Sequence, residues 1–192
     1  MDSRSDRHSF AGSGRPPRSD SGGYPNVIED PSTGASITFL ERGVDERGAY
    51  LLMDGVLPPG TESGPARLHP RAEVHAEVVA GRADVTVRGE PHALLPGESL
   101  YIAAGEPHSI RNGGAGTLVV RTTLRPPGEF EAAVRALYEA GAGGQPDFFA
   151  AATVLSYYRA DLRLAGVPWW LQRPLLSVLA GIATMLGRNP LE

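Results

Sequence analysis

The chain has 192 residues, contains no cysteine and carries a formal net charge of -4 at pH 7. This length allows one main domain with an appendage. Without cysteine, a disulfide framework and a thiolate metal site are excluded, and the acidic balance argues against a nucleic-acid-binding protein, which usually presents a basic face.

The first 25 residues are rich in Ser, Gly, Pro, Arg and Asp, with Phe10 as the only large apolar side chain before Tyr24. Such a segment buries too little apolar surface to offset its ordering entropy, so we expect a disordered tail. It also lacks the apolar run of a secretory signal. Together with the absence of cysteine, this predicts a cytoplasmic protein.

Two short strands are predicted next, at residues 35–41 (ASITFLE) and 49–56 (AYLLMDGV), because both are rich in β-branched and aromatic residues. Residues 57–65 (LPPGTESGP) are a loop by composition. We expect a main domain that begins at residue 26 and ends near residue 127.

The stretch from residue 67 to residue 112 contains four of the five histidines between short alternating segments. Val74, Ala76, Val78 and Ala80 alternate with other residues, and residues 83–88 repeat the pattern. Because strand side chains repeat with period two, each apolar set should face the interior. We therefore expect a buried Val74 and an exposed His75. Further strands at 99–103 and 117–124 complete a closed or double-sheet β architecture.

Helical spacing of apolar residues begins after residue 128 and predicts helices at 129–140, 146–164 and 168–186. The longest uninterrupted apolar run, residues 175–186, is shorter than the about 20 residues that span a bilayer. No membrane span is expected. We interpret residues 128–192 as a helical extension that packs on the β domain or on another subunit.

One motif points to a family. Its pattern, G-x5-P-x-G-x2-H-x3-N, is matched by Gly97, Gly105, His108 and Asn112, with Ala103 in place of proline. In this the chain resembles the cupin family, specifically small bacterial single-domain cupins with a C-terminal helical extension. The resemblance implies a mainly β fold, an antiparallel jelly-roll β-barrel followed by C-terminal α-helices.

The other cupin motif is damaged. Counted back from Gly81, its glutamate position holds Val74, its second histidine position holds His69 and its first holds Arg67. In the family, the two histidines and the glutamate of this motif, together with the histidine of the second motif, bind a divalent metal, Fe, Mn, Ni or Zn. Only His69 and His108 survive as ligands, and two histidines hold an ion weakly. A guanidinium cannot ligate a metal and repels a cation.

A shorter spacing of the same motif would make Glu73 a third metal ligand if a β-bulge turned it inward. The regular alternation of Val74, Ala76 and Val78 instead places Glu73 and His75 on the opposite face. We therefore expect no tightly bound metal and at most a weakly bound divalent ion (Fe, Mn, Ni or Zn), with Glu73 as its third candidate ligand beside His69 and His108.

What remains is a cluster of Arg67, His69 and His108, with Tyr101 as a further substrate-binding residue. The guanidinium can clamp an anion, and its charge would keep the imidazoles neutral and basic. This predicts acid–base chemistry on an anionic or oxygenated small molecule, of the isomerase, cyclase or lyase type, with the two histidines and the arginine as catalytic residues. The alternative without a functional site is that Arg67 forms an ion pair with Glu73 or Glu62 at the rim, which would leave a degenerate pocket.

Two other functions stay open. A metal-dependent dioxygenase of the quercetinase type would need Glu73 or His75 to complete the site. A non-catalytic sensor would use the same pocket to bind a ligand, and the sequence does not decide whether the chain is an enzyme. The partners we expect are a small molecule and a second copy of the chain in a homodimer, with no nucleic acid, because the tail shows no DNA-binding helix pair.

Overall fold

The computed structural model describes residues 27–141 and 148–191. The predicted disordered tail and the first two residues of the predicted second helix lie outside this range. Within the described residues, eleven β-strands form two antiparallel sheets, and three helices follow most of these strands in the chain. The strands are β1 (Val27–Glu29), β2 (Ser36–Asp45), β3 (Gly48–Leu57), β4 (Arg67–Leu68), β5 (Glu73–Ala80), β6 (Ala83–Val87), β7 (Glu90–Leu94), β8 (Ser99–Ile102), β9 (His108–Asn112), β10 (Leu118–Arg125) and β11 (Arg163–Leu164).

The two sheets face each other as in a jelly roll. One has the strand order β1-β2-β3-β10-β5-β8 and the other the order β11-β4-β9-β6-β7. Buried side chains from both inner faces form one apolar core, to which the first helix adds Phe130 and Val134. The predicted antiparallel β-barrel with C-terminal helices is confirmed.

The alternation predicted for β5 is also confirmed over most of its length. Val74 and Val78 are buried and His75 is exposed. The prediction fails at Ala80, which is exposed. The reason is a register shift, because Val120 pairs with Val78 whereas the adjacent Val119 pairs with Ala80. Such a bulge turns the end of the strand away from the core.

Two motif residues have structural roles. Gly81 adopts φ +84°, and a Cβ there would lie 2.6 Å from the carbonyl oxygen of Thr117, so only glycine fits this turn. The buried Asn112 amide donates to the carbonyls of Leu57 and Gly116, at 2.7 Å and 2.8 Å. It ties the β3 end to the β9–β10 loop, as expected for a buried amide that must be satisfied.

The extension contains α1 (Phe130–Ala140), α2 (Phe148–Tyr157) and α3 (Trp169–Met185). The helix predicted to run to residue 164 is wrong beyond Tyr157. There the chain turns and adds β11 to the sheet edge, with Arg163 opposite Leu68 and Leu164 opposite Arg67. Pairing with an open sheet edge outweighs local helix propensity. The extension therefore braces the strand that carries Arg67.

No helix in the described ranges is long and apolar enough to cross a membrane.

Candidate functional site

A cavity of about 1100 Å³ opens between the two sheets and the extension. Its wall is mostly apolar, as small-molecule pockets usually are. The carboxylate-bearing residues on this wall, Glu29, Asp30 and Glu62, are exposed or half-buried. The apolar lining residues come from the strands (Met53, Leu57, Val74, Ile110 and Val120) and from the extension (Phe130, Val134, Leu137, Leu155, Leu162 and Leu164).

Arg67 and His108 supply the basic groups on the cavity wall. They are direct partners across the β4–β9 pair, so the sheet register fixes their separation. This pairing brings together one residue from the damaged first motif and one from the second motif. Two members of the predicted cluster therefore lie side by side at this point of the barrel.

The guanidinium of Arg67 lacks an ionic partner within residues 27–141 and 148–191. Its two terminal nitrogens donate to the backbone oxygen and the hydroxyl of Ser63, at 2.8 Å and 3.3 Å. Its Nε is buried and makes no hydrogen bond there. Burial lowers the pKa of Arg67 from its usual value, yet a guanidinium stays charged. The suggested pairing with Glu73 or Glu62 is not formed.

Both histidines are neutral and share one tautomer. Nδ1 of His69 lies 3.0 Å from the backbone oxygen of Asp161, and Nδ1 of His108 lies 3.0 Å from that of Glu106. A carbonyl oxygen only accepts, so each Nδ1 carries the proton and each Nε2 keeps its lone pair. Burial, reinforced by the charge of Arg67, lowers the pKa of His69 to about 3 and that of His108 to about 4.

His69 stands behind the cavity wall rather than on it. It is buried, and its ring lies 5.3 Å from the ring of His108 and 5.1 Å, edge-on, from that of Phe130. It can therefore influence a ligand through His108, while His108 itself reaches the cavity. The predicted equal roles of the two histidines need this correction.

Glu73 and Tyr101 do not join the site. The Glu73 carboxylate binds Arg47 at 2.8 Å and accepts a hydrogen bond from the Tyr101 hydroxyl. Tyr101 is 53% exposed and neither residue lines the cavity. Their strands pair with His75 opposite Tyr101 on the outer face of the sheet, because the inward positions are taken by Val74 and Ile102.

The donor set does not fit a catalytic metal. Among the described residues no group of three or more His, Asp or Glu side chains could hold one. Two imidazole Nε2 atoms beside a guanidinium remain, one ligand short of the three that catalytic metal sites use. Glu73 and His75 face outward, so neither can supply the third ligand that a tight metal site would need.

Several site residues were missed by sequence reasoning. Ser63 holds the Arg67 guanidinium, and the Asp161 carbonyl fixes the His69 tautomer. Tyr138 lines the cavity, where burial raises its pKa. The helical spacing of Phe130, Val134, Leu137 and Tyr138 did mark this face of α1, but it reads equally well as ordinary core. No sequence signal predicts a contact through a backbone carbonyl.

Residues 53–123 match the family model described as the cupin domain. The HTH-type transcriptional regulator PuuR of Escherichia coli (strain K12) is 31% identical over 91 residues, which cover 47% of this chain and 48% of the regulator. The regulator of the same name from Shigella flexneri matches to the same extent. The chain spans about half the length of the curated relatives it matches.

Solved structures also resemble parts of the chain. A sugar phosphate isomerase from the cupin superfamily of Silicibacter pomeroyi is 18% identical, with a TM-score of 0.42, over 49% of this chain and 61% of that chain. KdgF from Halomonas sp. is 20% identical, with a TM-score of 0.42, over 47% and 78%. An RmlC-like cupin from Shewanella frigidimarina is 22% identical, with a TM-score of 0.44, over 52% and 82%. These partial structural similarities support no conclusion about an activity of this chain.

Proposed function

Residues 53–123 of this chain form a cupin domain, and on that premise we propose that its barrel binds a small organic anion with an apolar body. The observation that supports this most is Arg67, a half-buried residue on an apolar cavity wall whose Nε is buried and whose guanidinium binds no carboxylate in the described residues. The anionic group would lie beside Arg67 and the apolar body along the helix-lined wall.

The energetic argument concerns the uncompensated charge. An ion removed from water without a partner destabilises the fold by several kcal/mol. An anion about 4 Å away would restore roughly 4 kcal/mol at an effective dielectric near 20. The half-buried or exposed carboxylates of Glu29, Asp30 and Glu62 would repel a ligand with several negative charges. We therefore favour a monoanion, such as a carboxylate.

His108 would contact the same ligand. Its Nε2 accepts a hydrogen bond from a ligand hydroxyl or enol, because its Nδ1 is already donating to Glu106. An anion beside Arg67 would offset the positive charge that helps to lower the pKa of His108 from 6.5 to about 4. Ligand binding would thus raise the basicity of His108 toward the range where general bases work at neutral pH.

The first test compares acids with neutral analogues of the same shape. Benzoate, cinnamate and octanoate would be titrated calorimetrically against the full chain at pH 7, each beside its primary amide. We expect at least one acid to bind about tenfold or more tightly than its amide, a difference of about 1.4 kcal/mol. Equal affinities for acid and amide would remove the anion from the proposal.

Arg67→Met should remove the preference for the acid, because its side chain is similar in length and uncharged. The matched control is Arg121→Met, which removes an arginine bound at 2.8 Å to Asp54 on the outside of the sheet. The control should bind the acid as the unmodified protein does. Loss of binding in both variants would show a general effect of charge rather than a site at Arg67.

Acid–base catalysis is the stronger form of the proposal, with isomerase, cyclase or lyase chemistry at His108. The feature that favours it is a neutral imidazole on the cavity wall whose Nε2 has no hydrogen-bond partner among the described residues. The test is proton exchange in phenylpyruvate, an anion with an acidic C–H, followed by NMR in heavy water. Exchange should be faster with the unmodified protein than without protein, and it should be slow with His108→Asn. The control His75→Asn, whose side chain lies outside, should exchange the proton as fast as the unmodified protein. Exchange equal in all three proteins would remove the catalytic role.

A ligand-sensing module is a second candidate, because 91 residues of the chain align at 31% identity with a transcriptional regulator. In that case an acid would bind with the same dependence on Arg67, but the protein would not exchange the phenylpyruvate proton. The quercetinase-type alternative finds no third ligand among residues 27–141 and 148–191. Stoichiometric Fe, Mn, Ni or Zn in protein purified without chelator, lost in His108→Ala, would contradict both metal-free proposals.

A further inference from the structure

The last helix, α3, has an apolar stripe on its outer face. Seven large apolar side chains of this helix and its end are at least 38% exposed. Five of them recur with alternating spacings of four and three residues, which places them along one side of an α-helix. The seven residues are Trp170, Leu171, Leu175, Val178, Ile182, Met185 and Leu186, with Trp170 and Leu186 at the margins.

Beside the stripe, the exposed side chains of the helix are small. Pro174, Ser177 and Gly181 are exposed and small, and a Cβ at Gly181 would meet no atom within 4 Å. Next to them a groove of about 400 Å³ runs between α3 and α2, bordered by Gly181 and Thr184. At 100° per residue, the α3 residues that border this groove lie roughly 130° around the helix from the centre of the stripe, so the stripe and the groove belong to different sides of α3.

We propose that the apolar stripe of α3 is a two-fold interface with a second copy of the chain. A straight apolar stripe can pack against its own copy about a two-fold axis, because both partners then present the same surface. The exposed apolar surface amounts to several hundred Å², more than monomers usually expose and approaching the about 800 Å² per partner of a standard interface. Arg173 is the only charged residue from Trp169 to Met185, so copies meet without like-charge repulsion.

Other occupants fit less well. The chain outside the described residues contains only Met1, Phe10 and Tyr24 as large apolar side chains, too few to cover the stripe. A helix that lies on a lipid surface usually has a second face rich in Lys and Arg. Here the opposite face is packed, with Leu176 and Ala183 buried. The second copy is therefore the occupant that the surface favours, independently of the ligand in the barrel.

The test is the oligomeric state of the full chain, measured by sedimentation equilibrium over a range of concentrations. We expect a dimer whose dissociation constant rises at least tenfold in Val178→Glu, because a buried charge would stand in the middle of the stripe. Val178 is 59% exposed, so the monomer fold should tolerate the change. Val44→Glu, at a 76% exposed site in the β2–β3 hairpin, is the control and should dimerise normally.

A second variant, Leu175→Glu, tests the stripe at a neighbouring position. Leu175 is 49% exposed, so the monomer fold should tolerate the change, yet the charge would be buried in the interface and weaken the dimer. Loss of the dimer in both variants supports the proposal. A monomeric unmodified chain, or a dimer that Val178→Glu leaves intact, would overturn it. A monomer that co-sediments with phosphatidylcholine–phosphatidylserine vesicles would overturn it in favour of a lipid surface.

Discussion

The arginines on the outside of the barrel and Arg67 on the cavity wall differ in the groups that they bind. The outer ones bind carboxylates, whereas Arg67 is held by Ser63 and its buried Nε has no hydrogen bond to any described residue. Exposed pairs contribute little to stability, while an uncompensated buried charge destabilises. This contrast is the reason for proposing a ligand at Arg67. The outer pairs include Arg121–Asp54, Arg125–Asp45, Arg47–Glu73 and Arg71–Asp161.

The largest effect is expected from lowering the pH, which should destabilise the protein through the buried histidines of the interior rather than through the surface pairs. Because the folded pKa values of His69 and His108, about 3 and about 4, lie below the usual 6.5, the unfolded state takes up protons first as pH falls. Stability is therefore lost from about pH 6.5 down to the folded values. From pH 7 to pH 5 the two histidines should lower the free energy of unfolding by about 4 kcal/mol, measured by urea unfolding.

His108→Asn should remove about half of this pH dependence, since only one of the two buried imidazoles would remain. His75→Asn, at an exposed site, should leave the dependence unchanged. If both variants followed the unmodified protein, the buried histidines would not be the groups that acid protonates, and the contrast between interior and surface would fail.

Gly128→Ala tests how the outer pair Arg71–Asp161 supports the interior. Gly128 adopts φ +50°, and a Cβ there would lie 2.1 Å from the Asp161 carboxylate. Since the Asp161 carbonyl accepts from His69, we expect a loss of about 1–3 kcal/mol and a changed NMR signal from the His69 ring.

The matched control for that change is Gly166→Ala. Gly166 has φ +81° but no atom within 4 Å of an added Cβ. It should show the backbone cost of about 1 kcal/mol and no change at His69. Equal effects of the two variants on the His69 signal would contradict a specific link through Asp161.

The smallest effect is expected for Glu73→Gln. The carboxylate of Glu73 pairs with Arg47 on the surface, so urea unfolding should show a loss under about 1 kcal/mol. Carboxylate binding measured by calorimetry should not change. A large loss of ligand or metal binding would return Glu73 to the site and restore the metal-dependent alternative.

The barrel was predictable because its signals are local. Glycines mark its turns, and the period of two in β5 sets which side chains face inward, so that Val74 is buried and His75 exposed. The spacing of the second motif places His108 at the start of β9. These patterns depend only on nearest neighbours in the chain and survive folding.

The remaining features depend on distant contacts. Residues 158–164 read as helix by composition, yet they turn and form β11 because the edge at β4 is open to pairing. Tyr101 was expected at the mouth, but its register opposite His75 turns it outward. The cavity wall from α1 and α2 could not be read from periodicity, since an apolar helix face looks alike whether it covers a core or a cavity.

The most direct test of Arg67 as an anion site is thermal unfolding of the unmodified protein and Arg67→Met, each with and without the tightest-binding carboxylate. Without ligand the variant should unfold at a higher temperature, since removal of an uncompensated buried charge stabilises by about 1–3 kcal/mol. The carboxylate should raise the unfolding temperature of the unmodified protein and leave that of the variant unchanged. A variant that is less stable without ligand, or that the carboxylate still stabilises, would contradict the account.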